Sequence, residues 1–125
     1  MQMINTPYSL NSKGHYSPAV VYNGIVHVSG QLPINYAEGK TMPSGSIEEQ
    51  TRQALENLNY VLKQAGSSKE KVLKTTVYIP DIAYWPIVNT IYQEFFGSHK
   101  PARTIVPTTA LHFDALIEID AVAAE

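Results

Sequence analysis

Cysteine is absent from this chain of 125 residues, which excludes a disulfide frame, a thiolate nucleophile and any cysteine-ligated metal, and fits a reducing compartment. Arginine is nearly absent too: Arg52 and Arg103 are the only two. Nine Lys and Arg stand against eleven Asp and Glu, for a formal charge of -2, and no Lys/Arg run occurs. A nucleic-acid groove or a membrane-surface patch needs clustered positive charge, so neither partner is expected. No apolar run is long enough to span a bilayer. The stretch Met1 to Pro7 lacks the basic and apolar segments of a signal peptide. These exclusions predict a soluble, cytoplasmic protein with one domain over residues 1–125, long enough to enclose a single core.

What is present reads as alternating elements. Ala19 to Tyr22 and Ile25 to Ser29 are β-rich runs around Asn23-Gly24, a hairpin signal because both residues tolerate positive φ. Gly30-Gln31-Leu32-Pro33 is expected to end the hairpin, with a polar loop from Asn35 to Gly45. Ser46 and Glu49 form a capping-box pair ahead of a helix that Gly66 closes. Ile47, Ala54, Leu55, Leu58, Val61, Leu62 and Ala65 make its apolar face. A strand follows over Val72 to Ile79. A second helix is expected from about Tyr84 to Phe96, with Pro86 tolerated in its first turn and Trp85, Val88, Ile91, Tyr92 and Phe95 as its buried stripe. Arg103 to Thr109 and Ala115 to Ala123 complete an α+β order of β-β-α-β-α-β-β.

Two helices cover one face of such a sheet, with Ile117, Ile119, Ala121 and Ala123 alternating toward them. Leu116, Glu118, Asp120 and Val122 then fall on the second face, with Ile25, His27 and Ser29 or their alternates. A half-apolar sheet face is expected to be covered by other copies in a closed symmetric ring, placing sites at subunit seams. A guanidinium, Arg103, and an acid, Glu118, occur in what read as neighbouring apolar strands. The five-donor fork of Arg103 can bind a carboxylate at two points, and Glu118 in an apolar setting can handle a proton or a water. The plainer alternative pairs Arg103 with Glu118 or Asp120 as an ion pair that seals a subunit seam. Plainer readings also make Tyr16 a core or interface aromatic and Ser29 a turn residue. His27, His99 and His112 lack the spacing of a metal site, and no metal is expected.

The blocks Gly14-His15-Tyr16-Ser17-Pro18-Ala19-Val20, Val28-Ser29-Gly30-Gln31-Leu32-Pro33, Pro101-Ala102-Arg103-Thr104 and Ile117-Glu118-Ile119-Asp120-Ala121 resemble the RidA/YjgF family of small imine deaminases over nearly the whole chain. The resemblance implies a chorismate-mutase-like (bacillus type) fold, a mixed sheet with two helices on one face, assembled as a homotrimer with three intersubunit clefts. It implies hydrolysis of 2-imino acids, such as 2-iminopropanoate and 2-iminobutanoate formed from enamines like 2-aminoacrylate, to 2-keto acids and ammonia, with no cofactor. By the same resemblance Arg103 grips the substrate carboxylate, Glu118 orders or activates water, and Tyr16 and Ser29 line the cleft with Gly30 and Gln31. The resemblance also implies that the main-chain carbonyl of Ile105 meets the imine nitrogen. Ile105 stands where some members carry cysteine, which removes a modifiable thiol. The alternatives are a deaminase of a larger enamine and a non-catalytic trimer that binds small carboxylates. A ribonuclease, an activity attached to some relatives, ranks last because no basic cluster or histidine pair is evident.

Overall fold

A computed structural model describes residues 1–8 and 14–125. Its strands are β1 (Gln2–Ile4), β2 (Ala19–Tyr22), β3 (Ile25–Gln31), β4 (Val72–Ile79), β5 (Ala102–Pro107) and β6 (Glu118–Ala124), and its two α-helices are α1 (Ile47–Gln64) and α2 (Trp85–Phe96). They form one mixed sheet in the spatial order β1-β2-β3-β6-β4-β5. The expected order is thus corrected at its start, where β1 pairs antiparallel with β2 through Gln2 to Val21 and Ile4 to Ala19. Among the described strands only β4 and β5 run parallel, and α2 is the crossover such a pair requires.

The local signals explain most elements. Asn23 and Gly24 take φ of 50° and 75°, which closes the two-residue turn between β2 and β3. The Ser46 hydroxyl accepts from the Glu49 amide at 3.2 Å and the Glu49 carboxylate accepts from the Ser46 amide at 3.4 Å, so two orphan donors at the start of α1 are satisfied. Leu55, Leu58 and Leu62 of α1 are buried against Val26, Val28, Val77 and Ile119 of the sheet. Burial of each such leucine stabilises the fold by roughly 1.5–3 kcal/mol. In α2 the buried stripe is Val88, Ile91, Tyr92 and Phe96; Trp85 and Phe95, expected within it, are only partly buried.

Two departures shape the site. Strand β3 does not stop at Ser29 but runs through Gln31, and its pairing with β6 passes from Val28–Ala121 to Gln31–Ile119, so β3 uses one residue more than its partner. That extra residue is a β-bulge, and Gly30 lies in it. The last strand begins at Glu118 rather than Ala115, because the preceding turn over His112–Asp114 holds Phe113 and Asp114 at φ of 57° and 55°. Gln50 ties this region to α1: its amide donates to Gly45 O at 3.0 Å and accepts from the Leu116 amide at 2.9 Å. Among the described residues no helix is long and apolar enough to cross a membrane.

Candidate functional site

Arg103 pairs in register with Thr75 of β4, and residues paired this way share a face. Thr75 is fully buried under α2, its hydroxyl 2.8 Å from the Tyr92 hydroxyl. Arg103 is therefore on the helix-bearing face, at the edge strand. Its guanidinium carbon lies 4.4 Å from the centre of the Trp85 ring and 4.8 Å from that of Tyr92. One guanidinium nitrogen donates to Asn89 Oδ1 at 3.1 Å. Trp85, Asn89 and Tyr92 follow at helical spacing and make one platform. No carboxylate of the described residues pairs with Arg103 within the protomer. An exposed face of this guanidinium borders a cavity of about 480 Å³ that Asn89, Lys100 and Pro101 also line.

Glu118 lies elsewhere. It pairs with Tyr78 of β4, on the face opposite to the buried Ile117 and Ile119. Tyr78 donates its hydroxyl to Asp120 at 3.2 Å on that same face. The Glu118 carboxylate fills the space in front of Gly30, where any Cβ would overlap it. Burial raises the pKa of Glu118 above the usual glutamate value; the charge of Asp120 adds to this and His112 partly offsets it. A carboxyl so placed takes up a proton more readily than a solvated one.

Gly30 and Gln31 line a second cavity of about 640 Å³ together with Tyr16, Tyr36 and Phe113. Ser29 holds this wall in place: its hydroxyl donates to Ser17 O at 2.7 Å and its amide donates to Pro18 O at 2.9 Å, fixing the segment that carries Tyr16. The Gln31 amide in turn donates to Ser29 O at 2.9 Å. Asn57 of α1 donates to Leu32 O and Ile34 O, each at 2.9 Å, and so pins the floor.

Tyr16, Ser29, Gly30, Gln31 and Glu118 are thus brought together, whereas Arg103 and Ile105 are not among them. Strand β4 separates β5 from β6, which corrects the expectation that Arg103 and Glu118 occupy adjacent strands. Ile105 is half-buried, in register with Val77. Sequence reasoning missed the anchoring by Asn89, for which the signal was its spacing from Trp85 and Tyr92. It also missed Tyr36 and Phe113, for which no local pattern exists. Among the described residues no cluster of His, Asp or Glu could hold a metal.

A mixed sheet with two helices on one face, closely matched by solved structures of the YjgF/L-PSP type, defines the class. The chain belongs to the RidA/YjgF family: the family described as Endoribonuclease L-PSP matches residues 6–125. It is 38% identical over 122 residues to the human 2-iminobutanoate/2-iminopropanoate deaminase, covering 98% of this chain and 88% of that protein. A Rid-family protein of Yersinia pestis superposes with a TM-score of 0.92 at 42% identity, over 99% of this chain and 98% of that one. TdcF of E. coli, crystallised with bound serine, gives 0.91 at 30% identity, over 100% and 99%.

Proposed function

We propose that the protein hydrolyses reactive 2-imino acids to 2-keto acids and ammonia, at sites built between copies of a cytoplasmic homotrimer. The observation that carries this reading is the division of the site: a guanidinium without a carboxylate partner on one face of the sheet, and an acid with a raised pKa on the other. Neither half reaches the other within one protomer, so a seam that brings Arg103 of one copy to Glu118 of the next completes the constellation. Family membership and the named activity of the human relative support it.

Arg103 holds the substrate carboxylate by two donors and fixes the position of the C=N carbon. The substrate binds as the protonated iminium, one N–H donating to the Ile105 carbonyl, and Glu118 takes a proton from water as the water oxygen bonds to the C=N carbon and the π pair passes to nitrogen. The resulting carbinolamine has an amine on the same carbon as a hydroxyl. Return of the Glu118 proton to that nitrogen, loss of the hydroxyl proton and cleavage of C–N release ammonia and leave the 2-keto acid. Tyr16, Ser29, Gly30 and Gln31 form the wall beside this carbon, and the chemistry draws on no cofactor.

The test couples the protein to a threonine or serine dehydratase and follows semicarbazone trapping of the imine. The trapped imine is expected to fall when the protein is added, and an unchanged signal refutes the activity. Mixing then tests the seam. Arg103→Ala and Glu118→Gln are each expected to lose about 10²-fold or more in kcat/KM, and refolding them together at equal amounts should restore about a quarter of the sites, since one heterologous seam in four receives both intact groups. No recovery would place both groups in one protomer's site.

A second reading, a trimer that binds small carboxylates without turning them over, draws on the serine-bound relative. Glu118→Gln separates the two: binding kept with turnover lost favours the enzyme, whereas a wild type that binds keto acids and accelerates nothing favours the binder.

A further inference from the structure

We infer that the substrates of this chain are 2-imino acids with bulky apolar side chains, aromatic or branched, and that Phe113 and Tyr36 set this preference. The inference rests on the catalytic reading above and specifies its substrate class.

Gly30, against which the Glu118 carboxylate lies, is also a wall of a cavity of about 640 Å³ in one protomer. That lies within the range of roughly 300–1,000 Å³ typical of sites for ligands much larger than a three-carbon acid. Its walls are Tyr16, Tyr36, Leu32, Ile34, Met42 and Phe113. Such a lining gains little from a methyl or ethyl group, about 0.8 kcal/mol per buried carbon, and more from a ring or an isobutyl group set against its apolar atoms. Lys40, the charged residue of the lining, lies 3.6 Å from Glu38, so its charge is already answered and does not call for a second acid on the ligand.

The walls are fixed rather than collapsible. Tyr36 stacks on Tyr8 with ring centres 5.5 Å apart and planes 18° from parallel, and Tyr8 also meets Tyr60 at 5.4 Å. Asn57 holds the carbonyls of Leu32 and Ile34. Phe113 is the most telling: a large apolar side chain, 41% exposed, sits on a turn in which it and Asp114 both have positive φ. A bulky residue rarely adopts that conformation, and this one gains little burial by doing so. Its ring centre lies 3.8 Å from that of His112, which steadies the ring beside the cleft. The turn presents an aromatic surface to whatever enters.

The experiment generates imines in place with an L-amino-acid oxidase and catalase from 2-aminobutyrate, leucine and phenylalanine, and measures kcat/KM by loss of semicarbazone. Calorimetry with pyruvate and phenylpyruvate reads the pocket independently of turnover. The imines from leucine and phenylalanine are expected to exceed that from 2-aminobutyrate in kcat/KM by about tenfold or more, the scale of a well-filled apolar pocket. Phenylpyruvate is expected to bind more tightly than pyruvate. Phe113→Ala and, separately, Tyr36→Ala should each lower the long-to-short ratio by about tenfold. Turnover of short imines with no length preference, and equal binding of the two keto acids, overturns this inference and leaves the catalytic reading standing. Preferential binding of phenylpyruvate with no turnover of any imine overturns the catalytic reading instead, and with it the claim that these compounds are substrates.

Discussion

The Glu118 carboxylate stands where a side chain at residue 30 would begin, so Gly30 and Glu118 are geometrically exclusive partners. Gly30→Ala is expected to displace the carboxylate and lower kcat/KM by about 10²-fold, because a misplacement of this size undoes alignment with water. The carboxylate is the far end of a flexible side chain and can swing aside, so thermal unfolding is expected to show little change in Tm.

Loss of the guanidinium is expected to act on substrate and spare the fold. Arg103→Ala removes charge-assisted hydrogen bonds worth roughly 3 kcal/mol to a bound carboxylate, or about 10²-fold in kcat/KM, with little change in Tm. Arg103→Lys should recover only part of this, since an ammonium lacks the planar fork that Asn89 and the two rings orient. Steady-state kinetics on both variants checks the order.

Asn89 is a positioning residue by this account. Asn89→Ala frees the guanidinium and is expected to raise KM about tenfold with a smaller effect on kcat. Asn89→Asp should be worse than alanine, because a carboxylate beside Arg103 competes with the substrate for it. Equal kinetics for the wild type and Asn89→Ala would remove Asn89 from the site.

The raised pKa of Glu118 has two consequences of definite sign. As a base it must be ionised, so the acid limb of kcat/KM against pH should lie above the ordinary glutamate value of 4.5. For stability, the folded state binds the Glu118 proton more tightly than the unfolded chain does. Between the unfolded and the folded pKa, stability therefore falls as pH rises. Glu118→Gln removes that penalty: its Tm should exceed that of the wild type at neutral pH, and the difference should vanish below the unfolded glutamate pKa. A Tm series across pH for the two proteins decides it.

Gln50 offers a test of the frame alone. Gln50→Leu leaves the half-buried Leu116 amide without its partner, while the exposed Gly45 carbonyl can turn to water, at a cost of about 1 kcal/mol. For a chain of this length that corresponds to roughly 3–5 °C in Tm.

The elements legible in the sequence are those whose cause is local. Asn23-Gly24, the Ser46–Glu49 box and the spacing of Leu55, Leu58 and Leu62 each act within a few residues, and each produced its element. The unread parts depend on distant partners. Strand β1 is three residues long and exists through pairing with β2. The bulge at Gly30 is defined by the register of β6, not by residues beside it. The side of the sheet taken by Glu118 followed from alternation in β6, but that of Arg103 needed the parallel register with Thr75, which no periodicity contains. Phe113 was invisible because a positive φ at phenylalanine contradicts local preference; the surrounding turn imposes it.

Tyr92 belongs to two systems at once. It is 6% exposed in the core, bonded through its hydroxyl to Thr75, and its ring lies under the Arg103 guanidinium. Selection for a firmer interior and selection for ligand capture therefore act on one side chain. At Val88 and Ile91 another aliphatic side chain of similar volume meets the single demand of packing, whereas position 92 calls for an aromatic with a hydroxyl to meet both.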